Sequence, residues 1–366
     1  MKLTIKQDNL AKALNSIGRI ATARAGLPIL ANVLIRTDGN KLIVAATNLE
    51  VAITTTIGAQ VEEQGALAVP ARLFTEFIGN LPHANVELKT DETKLKISAA
   101  GYKSTINATL ADDYPAIPEP TGENSFTLVA DKLKEAISGV ALVAGNDVTR
   151  PILTGVSLCT NNGQLCMAAT DGYRLAEDRV MPLDSELSAI VPSSTLTDVA
   201  RLLGPAKEVE IKYNDEQIAF IIGETSVTSL LIDGKYIDYI NLIPTNTSFT
   251  IVVDRSEFIK ITKMAELFAR ETAGSIILEG DPTGKALSVR SITSQLGDNT
   301  SSIDAEIEVS GTEDCMVSLN SKFLLDALNC IEGDRVIMSF NGKMSPVLLT
   351  GQNANYRHVI MPVKSW

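Results

Sequence analysis

Side chains that commonly carry catalysis or bind metals are sparse in this chain of 366 residues. There are two histidines, His83 and His358, although acid–base and metal sites often combine several. The four cysteines lack the CxxC spacing of zinc and redox motifs: Cys159, Cys166, Cys315 and Cys330. Neither a Gly-x-Ser-x-Gly nucleophile elbow, a His-Glu-x-x-His pair nor a glycine-rich phosphate loop occurs. We therefore expect no catalytic residue, metal or cofactor, and a site assembled from scattered carboxylates is the remaining enzyme hypothesis.

Two segments have the composition of a binding surface. In Ala168–Ala176, an Asp-Gly turn is followed by Tyr173, Arg174 and Leu175, side chains that a turn alone does not require. The C-terminal stretch Tyr356–Trp366 is apolar and holds the only tryptophan, whereas chain ends are usually polar and frayed. A last edge strand is an equally good interpretation of this terminus.

The elements that must position these segments recur with a period of 123 residues. Three apolar–polar–apolar triplets stand at this spacing: Leu3–Ile5, Phe126–Leu128 and Phe249–Ile251. An aspartate follows each triplet at the same step, and we predict that its carboxylate caps a helix: Asp8, Asp131 and Asp254. Apolar residues at helical spacing predict six helices, within residues 7–20, 70–80, 130–144, 192–203, 254–270 and 320–331. Pro70 and Pro192 are predicted at the first helical position of the second and fourth helices.

Between the helices, alternating apolar segments and turn dipeptides predict antiparallel strands. The predicted fold class is α+β, with three pseudo-repeated domains that each pack two helices on antiparallel sheets. The domains are expected at residues 1–120, 123–245 and 246–366, with linkers at Tyr114–Pro120 and Asn241–Asn246. Three copies of one unit suggest a geometric task, such as a ring or an arc, and chance similarity between α+β segments is the alternative.

Charge is distributed unevenly along the chain. The net charge of −12 argues against nucleic-acid binding. The six helix windows nevertheless carry eleven Lys/Arg and nine Asp/Glu, a net charge of +2, which leaves −14 elsewhere. A solvated face explains the charges of any single helix, so the pattern matters only if all six helices face one cavity. No stretch approaches the roughly 20 apolar residues of a membrane helix, and we expect a cytoplasmic protein.

Over its whole length the sequence resembles the bacterial DNA polymerase III beta subunit family, the sliding clamps. The motifs that carry the resemblance are Leu27–Leu30, Val69–Arg72, Asp113–Pro115, Arg150–Leu153, Ala169–Leu175 and Val359–Pro362. The resemblance implies a head-to-tail homodimer whose six domains close a ring around duplex DNA of any sequence. It also implies a processivity factor without catalytic activity, which a clamp loader places on DNA and which tethers the replicative polymerase and other clamp-motif proteins of replication and repair. A peptide-binding scaffold that does not engage DNA is the alternative.

The resemblance also assigns residues to sites. It implies a peptide groove between the second and third domains, lined by Leu153, Thr170, Gly172, Tyr173, Arg174, Leu175, Ile237, Leu242, Asn320, Phe323, Met344, Pro346, Val359, Ile360, Met361 and Pro362. The DNA-facing candidates are Lys12, Arg19, Arg24, Arg72, Lys132, Arg150, Arg201, Lys260, Lys263 and Lys322. The dimer contact is expected to join Ser104 and Ile106 to Leu267 and Phe268.

Some positions depart from the pattern common in this family. Pro192–Ser194 stands where relatives often carry basic residues, and Pro151 and Ile152 stand where some carry DNA-contacting tyrosines. These departures predict a smaller share of DNA contact for the second domain. Tyr173 replaces a histidine of some members, and the Lys364–Trp366 tail is expected to alter the edge of the groove.

Overall fold

The computed structural model describes residues 1–23, 26–118, 124–293, 297–310 and 314–363. The first third of the chain holds helices α1 (Gln7–Ile17) and α2 (Ala71–Gly79) and strands β1 (Lys2–Lys6), β2 (Asn32–Asp38), β3 (Lys41–Thr47), β4 (Val51–Gly58), β5 (Gln60–Glu63), β6 (Ala66–Pro70), β7 (Asn85–Asp91), β8 (Lys94–Ala99) and β9 (Tyr102–Asn107). The second third holds α3 (Ala130–Val140), α4 (Ser193–Leu203), β10 (Asn124–Val129), β11 (Gly155–Asn161), β12 (Gln164–Thr170), β13 (Arg174–Pro182), β14 (Ser188–Pro192), β15 (Glu208–Tyr213), β16 (Gln217–Ile222) and β17 (Thr225–Leu230). The last third holds α5 (Arg255–Ala269), α6 (Ser321–Cys330), β18 (Phe249–Asp254), β19 (Ser275–Asp281), β20 (Ala286–Thr293), β21 (Gly297–Val309), β22 (Met316–Asn320), β23 (Arg335–Phe340), β24 (Val347–Thr350) and β25 (Tyr356–Ile360).

The bounds of these elements repeat with the predicted period. Strands β2, β3 and β4 begin at residues 32, 41 and 51, and β11, β12 and β13 begin 123 residues later, at 155, 164 and 174. All six helices lie within the predicted windows, which confirms the prediction from hydrophobic periodicity. In α1, for example, Leu10, Leu14 and Ile17 are fully buried, because residues three and four apart share one helix face.

The predicted helix starts are correct in one case and wrong in others. Asp254 caps α5, since its carboxylate accepts a hydrogen bond from the backbone N–H of Glu257 at 2.9 Å. Asp8 lies inside the first turn of α1 and does not cap it. Asp131 is likewise the second residue of α3. Pro70 and Pro192 are the last residues of β6 and β14 instead of the first of a helix, because pairing with β2 and β11 keeps them in the sheet.

The chain divides into two compact units, and the first comprises residues Met1–Asp131 and Asp198–Leu231. One of its sheets has the strand order β5-β1-β7-β8-β9, and the other has the order β10-β15-β16-β17-β4-β3-β2-β6. The second sheet therefore joins a strand of the middle repeat, β17, to a strand of the first repeat, β4. Their antiparallel register runs from Thr225 opposite Thr55 to Ser229 opposite Val51.

The second unit comprises Lys132–Thr197 and Ile232–Trp366. Its sheet has the order β14-β11-β12-β13-β25-β24-β23-β18-β21-β20-β19-β22. Here β13 of the middle repeat pairs with β25 of the last repeat, from Arg174 opposite Ile360 to Asp178 opposite Tyr356. Phe249 and Phe340, with ring centroids 5.1 Å apart, belong to the core beneath this sheet.

Two of the three boundaries between the units fall within α3 and α4, and the third lies after Leu231, so the middle repeat is divided between them. The predicted limits at residues 120, 123 and 245 remain predictions. The linker predicted at Tyr114–Pro120 begins at an anchored residue, since Tyr114 is buried and its hydroxyl donates to the carbonyl of Asn32. Its last two residues lie outside the described ranges. Among the described helices, none combines the length and apolar character needed to cross a bilayer.

Candidate functional site

The turn between β12 and β13 presents one side of the candidate groove. The hydroxyl of Thr170 donates to the carbonyl of Arg174 at 2.6 Å and accepts from the N–H of Gly172 at 3.0 Å. The Asp171 carboxylate accepts from the N–H groups of Tyr173 and Arg174 at 2.9 and 3.0 Å. Gly172 has φ +90°, a conformation that glycine adopts at little cost. The predicted Asp-Gly turn is confirmed, and it holds the Tyr173 side chain 69% exposed.

Arg174 lies buried below this turn and connects three elements. Its guanidinium contacts Asp171 at 3.1 Å, Asp326 of α6 at 2.5 Å, and the carbonyl of Leu142 at 3.2 Å. The same group lies 4.3 Å from the ring centroid of Phe323, a cation–π distance. Because its charge is compensated within the protein, Arg174 supports the groove and is not free to pair with an acidic ligand.

The C-terminal strand forms the floor. Strand β25 pairs with β13 on one side and β24 on the other, so the edge-strand interpretation of the terminus is wrong. Val359 and Ile360 are buried in this sheet, whereas Met361 is 44% exposed. The N–H of Met361 donates to the carbonyl of Tyr173 at 2.9 Å, which joins the end of the chain to the turn. The tail Lys364–Trp366 lies outside the described residues.

A third side is formed by the segment at residues 233–242, which forms no strand and ends in the short 3₁₀ helix Ile240–Leu242. Ile237 and Leu242, both predicted for the groove, are 40% and 51% exposed. Tyr239 points inward and is buried in one cluster with Leu175 and Val359. The buried ring of Tyr239 therefore anchors the segment, and the aliphatic side chains of Ile237 and Leu242 are exposed to solvent.

The remaining predicted groove residues have different surroundings. Asn320 caps α6, because its side-chain oxygen accepts from the N–H groups of Lys322 and Phe323 at 3.0 and 3.2 Å. The carbonyl of Leu153, which is half-buried, accepts from the N–H of Gly145. Met344 is 60% exposed. Pro346 and Pro362 are half-buried.

Sequence reasoning missed the polar contacts that hold this surface in place. Asp326 and Leu142 contact Arg174 from elements far away in the chain, and the spacing of residues gives no signal for them. Ile240 is 48% exposed beside the two predicted aliphatic residues of its segment. Glu177 is buried in β13, and the sequence signal that could have found it is an acid within an otherwise apolar run.

The ring of each of the two histidines lies within hydrogen-bond distance of a neighbouring side chain. His83 is exposed, and its Nδ1 lies 2.5 Å from the Asp8 carboxylate. His358 is fully buried, and burial lowers its pKa to about 3, so the ring is neutral at physiological pH. Its Nδ1 lies 2.8 Å from the hydroxyl of Tyr356, which donates to the carbonyl of Gly139. Within the described ranges, no group of three or more His, Cys, Asp or Glu side chains is arranged to hold a metal ion.

The DNA-facing candidates are mostly exposed. Exposed positions are found for Lys12, Arg19, Arg72, Lys132, Arg150, Lys260, Lys263 and Lys322. Arg201 differs, because its guanidinium donates to the carbonyl of Ser16 and to Asp198 at 3.2 and 3.1 Å. Arg24 lies outside the described residues. Within the helix bounds that the structure gives, the described helices carry nine Lys/Arg and eight Asp/Glu, a net charge of +1.

The dimer candidates divide by burial. Leu267 on α5 is 48% exposed, and Phe268 beside it is half-buried. On β9, Ser104 is half-buried, whereas the side chain of Ile106 is 3% exposed within its own unit. Ile106 can therefore offer a partner only its backbone.

A pseudo-threefold fold of helices on antiparallel sheets, with a candidate groove lined by exposed apolar side chains, defines a class of repeat proteins. Comparison with known families identifies the particular family within this class. The three DNA polymerase III beta subunit domains match in order: the N-terminal domain over residues 1–118, the central domain over 127–238 and the C-terminal domain over 240–364. The chain belongs to the DNA polymerase III beta subunit family and has three clamp domains.

Relatives match over the full length. The beta sliding clamp of Bacillus subtilis (strain 168) is 28% identical over an alignment of 380 residues, which covers 100% of both chains. That of Staphylococcus epidermidis is 29% identical over 381 residues with the same coverage. The solved structure of the sliding clamp from Bacillus subtilis aligns with a TM-score of 0.95 at 27% identity, and the DNA polymerase III subunit beta from Pseudomonas aeruginosa aligns with 0.93 at 27%; each alignment covers 100% of both chains.

Proposed function

We propose that the protein is a DNA sliding clamp, which encircles duplex DNA as a head-to-tail homodimer and tethers the replicative DNA polymerase. Family membership and the full-length relatives named beta sliding clamp support this function. It is a processivity factor and not a catalyst. Neither the scattered-carboxylate enzyme nor the DNA-free scaffold has support from the family or its relatives.

The proposal of a closed ring is supported by the strand pairing that joins successive repeats. In the first unit, β17 of the middle repeat pairs antiparallel with β4 of the first. In the second unit, β25 of the last repeat pairs in the same way with β13 of the middle one. Each junction thus pairs the last strand of one repeat with the fourth strand of the repeat before it.

Helices reinforce both junctions. In the first unit, Arg201 of α4 donates to the carbonyl of Ser16 in α1. In the second unit, the thiol of Cys330 in α6 lies 3.9 Å from the carbonyl of Ser138 in α3. The second helix of one repeat therefore packs on the first helix of the preceding repeat. By the same rule, α2 of one subunit packs on α5 of its partner, where Leu267 and Phe268 lie.

Two complementary edges are left for a third junction of this kind. Strand β9 is the equivalent of β17, and no described strand pairs with its outer side. Strand β21 is the equivalent of β4, and between residues 298 and 304 its only partner among the described strands is β20. Because both edges lie on one chain, two copies satisfy each other twice, which gives a closed dimer.

The repeat also specifies the register of this intersubunit pair. In the first unit, Val227 of β17 stands opposite Ile53 of β4. Shifting each residue by whole repeats places Ser104 of one subunit opposite Asn299 of its partner. The same shift places Tyr102 opposite Ser301. Native mass measurement tests the assembly directly: a dimer is expected, and a monomer at micromolar concentration contradicts it.

DNA is held by topology and by weak contacts to phosphates. The exposed lysines of the helices, among them Lys12, Lys260 and Lys263, supply charge that does not read base edges. A modest inner charge suits a protein that slides, because each tight phosphate contact adds to the affinity that movement must overcome. The acidic remainder of the chain disfavours binding of DNA elsewhere on the surface.

The groove around Tyr173, Ile237, Leu242 and Met361 binds short linear motifs of the polymerase, the clamp loader and other clamp-motif proteins. Its exposed aliphatic side chains provide apolar burial. The ordered turn at residues 170–174 and the strand β25 provide a rigid floor, which lowers the entropic cost of binding. Exchange of several partners at one site follows, because each motif occupies the same surface.

A further inference from the structure

Glu177 is a buried acid under the groove. It belongs to β13, the strand that also carries Arg174 and Leu175, and its side chain is 1% exposed. One carboxylate oxygen accepts a hydrogen bond from the hydroxyl of Tyr239 at 3.3 Å. The other lies 3.6 Å from a guanidinium nitrogen of Arg357 and 3.8 Å from one of Arg179. A buried ionic group carries a large desolvation cost, so its presence calls for a specific reason.

The partner of Glu177 anchors a segment that has few other attachments. At residues 233–242 the chain forms no strand, and most of its side chains are exposed. The two tyrosines differ: Tyr236 is half-buried against the cluster formed by Leu175 and Val359, and Tyr239 is 4% exposed and belongs to that cluster. Burial raises the pKa of Tyr239 far above its ordinary value, so its hydroxyl remains a hydrogen-bond donor. The anchor thus lies in sequence between the exposed residues Ile237 and Leu242.

The first unit shows that the fold does not need this cluster. There, the strand pair equivalent to Glu177–Arg357 is Thr54 opposite Ser226. Tyr114 corresponds to Tyr236, because the hydroxyl of each lies against the backbone of the equivalent residues Thr47 and Thr170. Ile117, three residues after Tyr114, therefore stands where the second unit has Tyr239.

With these smaller side chains the first unit has an open cavity of about 470 Å³, lined in part by Thr54, Ile117 and Ser226. The sheet of the first unit continues through this region with the same strand pairing. The ionic cluster is therefore an addition to a junction that forms without it, and it occurs at the junction that carries the groove.

We propose that the Glu177–Tyr239 pair positions the segment at residues 233–242 for peptide binding. This inference rests on the proposed peptide-binding function of the groove. Glu177 and Tyr239 do not touch the peptide; they act through Ile237 and Leu242. By holding the segment in one conformation, the hydrogen bond raises the fraction of molecules that are ready to bind, and the apparent Kd falls in proportion.

The first test is Tyr239→Phe, which keeps the packed ring and removes the hydroxyl. The probe is a fluorescein-labelled peptide that carries the clamp-binding motif of the replicative polymerase. We expect a Kd about fivefold higher and faster amide hydrogen exchange at residues 237–242. Tyr114→Phe is the matched control, because it removes an equally buried, hydrogen-bonded hydroxyl from the first unit. The control should leave peptide affinity unchanged, so a general loss of stability does not imitate the result.

The second test copies the first unit into the second. The triple variant Glu177→Thr, Tyr239→Ile and Arg357→Ser uses side chains that the equivalent junction already accommodates. It should fold and dimerise, and it should bind the peptide more weakly than Tyr239→Phe. Unchanged affinity in both variants overturns the positioning role while leaving the proposed function intact. Failure of the unaltered protein to bind the peptide overturns the peptide-binding function instead.

Discussion

A nitrogen of the Arg174 guanidinium lies 2.5 Å from a carboxylate oxygen of Asp326, although the two residues are 152 positions apart in sequence. Arg174 begins β13, and Asp326 lies in the middle of α6. The ion pair therefore fixes the helix of the last repeat against the strand of the middle repeat, and the ring of Phe323, a predicted groove residue, lies 4.3 Å from the same guanidinium. Neither partner is well solvated, so the contact belongs to the framework of the groove.

Breaking this pair should weaken both the fold and peptide binding. Asp326→Ala leaves a buried guanidinium with one carboxylate fewer, and we expect the free energy of unfolding to fall by about 2 kcal/mol. Urea denaturation measures the change. Arg72→Ala provides the comparison, since Arg72 also pairs with an acid, Glu76, but its side chain is 91% exposed. Exposed pairs contribute little, so equal effects of the two substitutions would show that burial of the pair is unimportant.

Asp178 should contribute more to the stability of the protein in mild acid than at alkaline pH. Burial above all, together with the nearby acids Glu332, Glu135 and Glu177, raises its pKa to about 6, although Lys132 acts in the opposite direction. A folded pKa above the unfolded value of 3.8 means that the native state holds more protons between these limits. The stability contributed by the protonated carboxyl is therefore lost as the pH rises through about 6.

Asp178→Asn removes that penalty. We expect the free energy of unfolding at pH 8 to rise by about 1–3 kcal/mol, and the gain to shrink toward zero near pH 4. Denaturation curves at several pH values measure the difference from the unaltered protein. Asp215→Asn, at an exposed position between β15 and β16, is the control for replacing a carboxylate by an amide. A gain that is the same at both pH values contradicts the assignment to ionisation of Asp178.

The proposed intersubunit register can be tested by cross-linking. With Ser104→Cys and Asn299→Cys in one chain, oxidation should produce a covalent dimer, because opposed residues of antiparallel strands lie within the roughly 4.4–6.8 Å Cα separation of a disulfide. Non-reducing electrophoresis reads the result. Thr105→Cys with Asn299→Cys shifts the register by one residue and points the side chain to the other face. Equal cross-linking by both pairs excludes the register but leaves the dimer itself open to other pairings.

The helix lysines should contribute a salt-dependent affinity for DNA. Lys260→Glu with Lys263→Glu replaces two exposed cations on α5, and we expect weaker binding and a shallower dependence of log K on log salt, by about two units of slope. Fluorescence anisotropy with a duplex at several salt concentrations measures both quantities. Lys41→Glu with Lys94→Glu changes the net charge equally on β3 and β8. If the strand substitutions reduce binding as much as the helix substitutions, net charge and not the helices controls DNA contact.

The local features of this fold could be predicted from sequence, and the long-range ones could not. All six helices lie where their apolar spacing predicts them, because that spacing reports one buried face. The capping role of Asp254 was predictable, whereas the prediction for Asp8 was wrong because α1 begins at Gln7, which makes Lys6 the N-cap residue. Strand β25 was ambiguous, since its composition is that of an edge strand and of an interior strand alike; only its two neighbours decide the matter.

Part of the candidate groove could be predicted from sequence, through its Asp-Gly turn and the apolar C-terminal segment. Its supports could not, because Arg174 meets Asp326, and Glu177 meets Tyr239, across 152 and 62 positions of sequence. No local spacing encodes such pairs. They depend on which strands become neighbours, and the antiparallel pairing of β13 with β25 determines that. The division of the chain into two units that cut the middle repeat was equally beyond the reach of the repeat period alone.

The central claim is that the protein holds DNA by encircling it, and retention on circular DNA tests this most directly. The protein is loaded by a clamp loader onto a nicked circular duplex, separated from unbound protein, and the circle is then cut once with a restriction enzyme. We expect the closed circles to keep the protein through gel filtration and the linear molecules to lose it within minutes, because the ring slides off a free end. Equal retention on cut and closed circles contradicts the account.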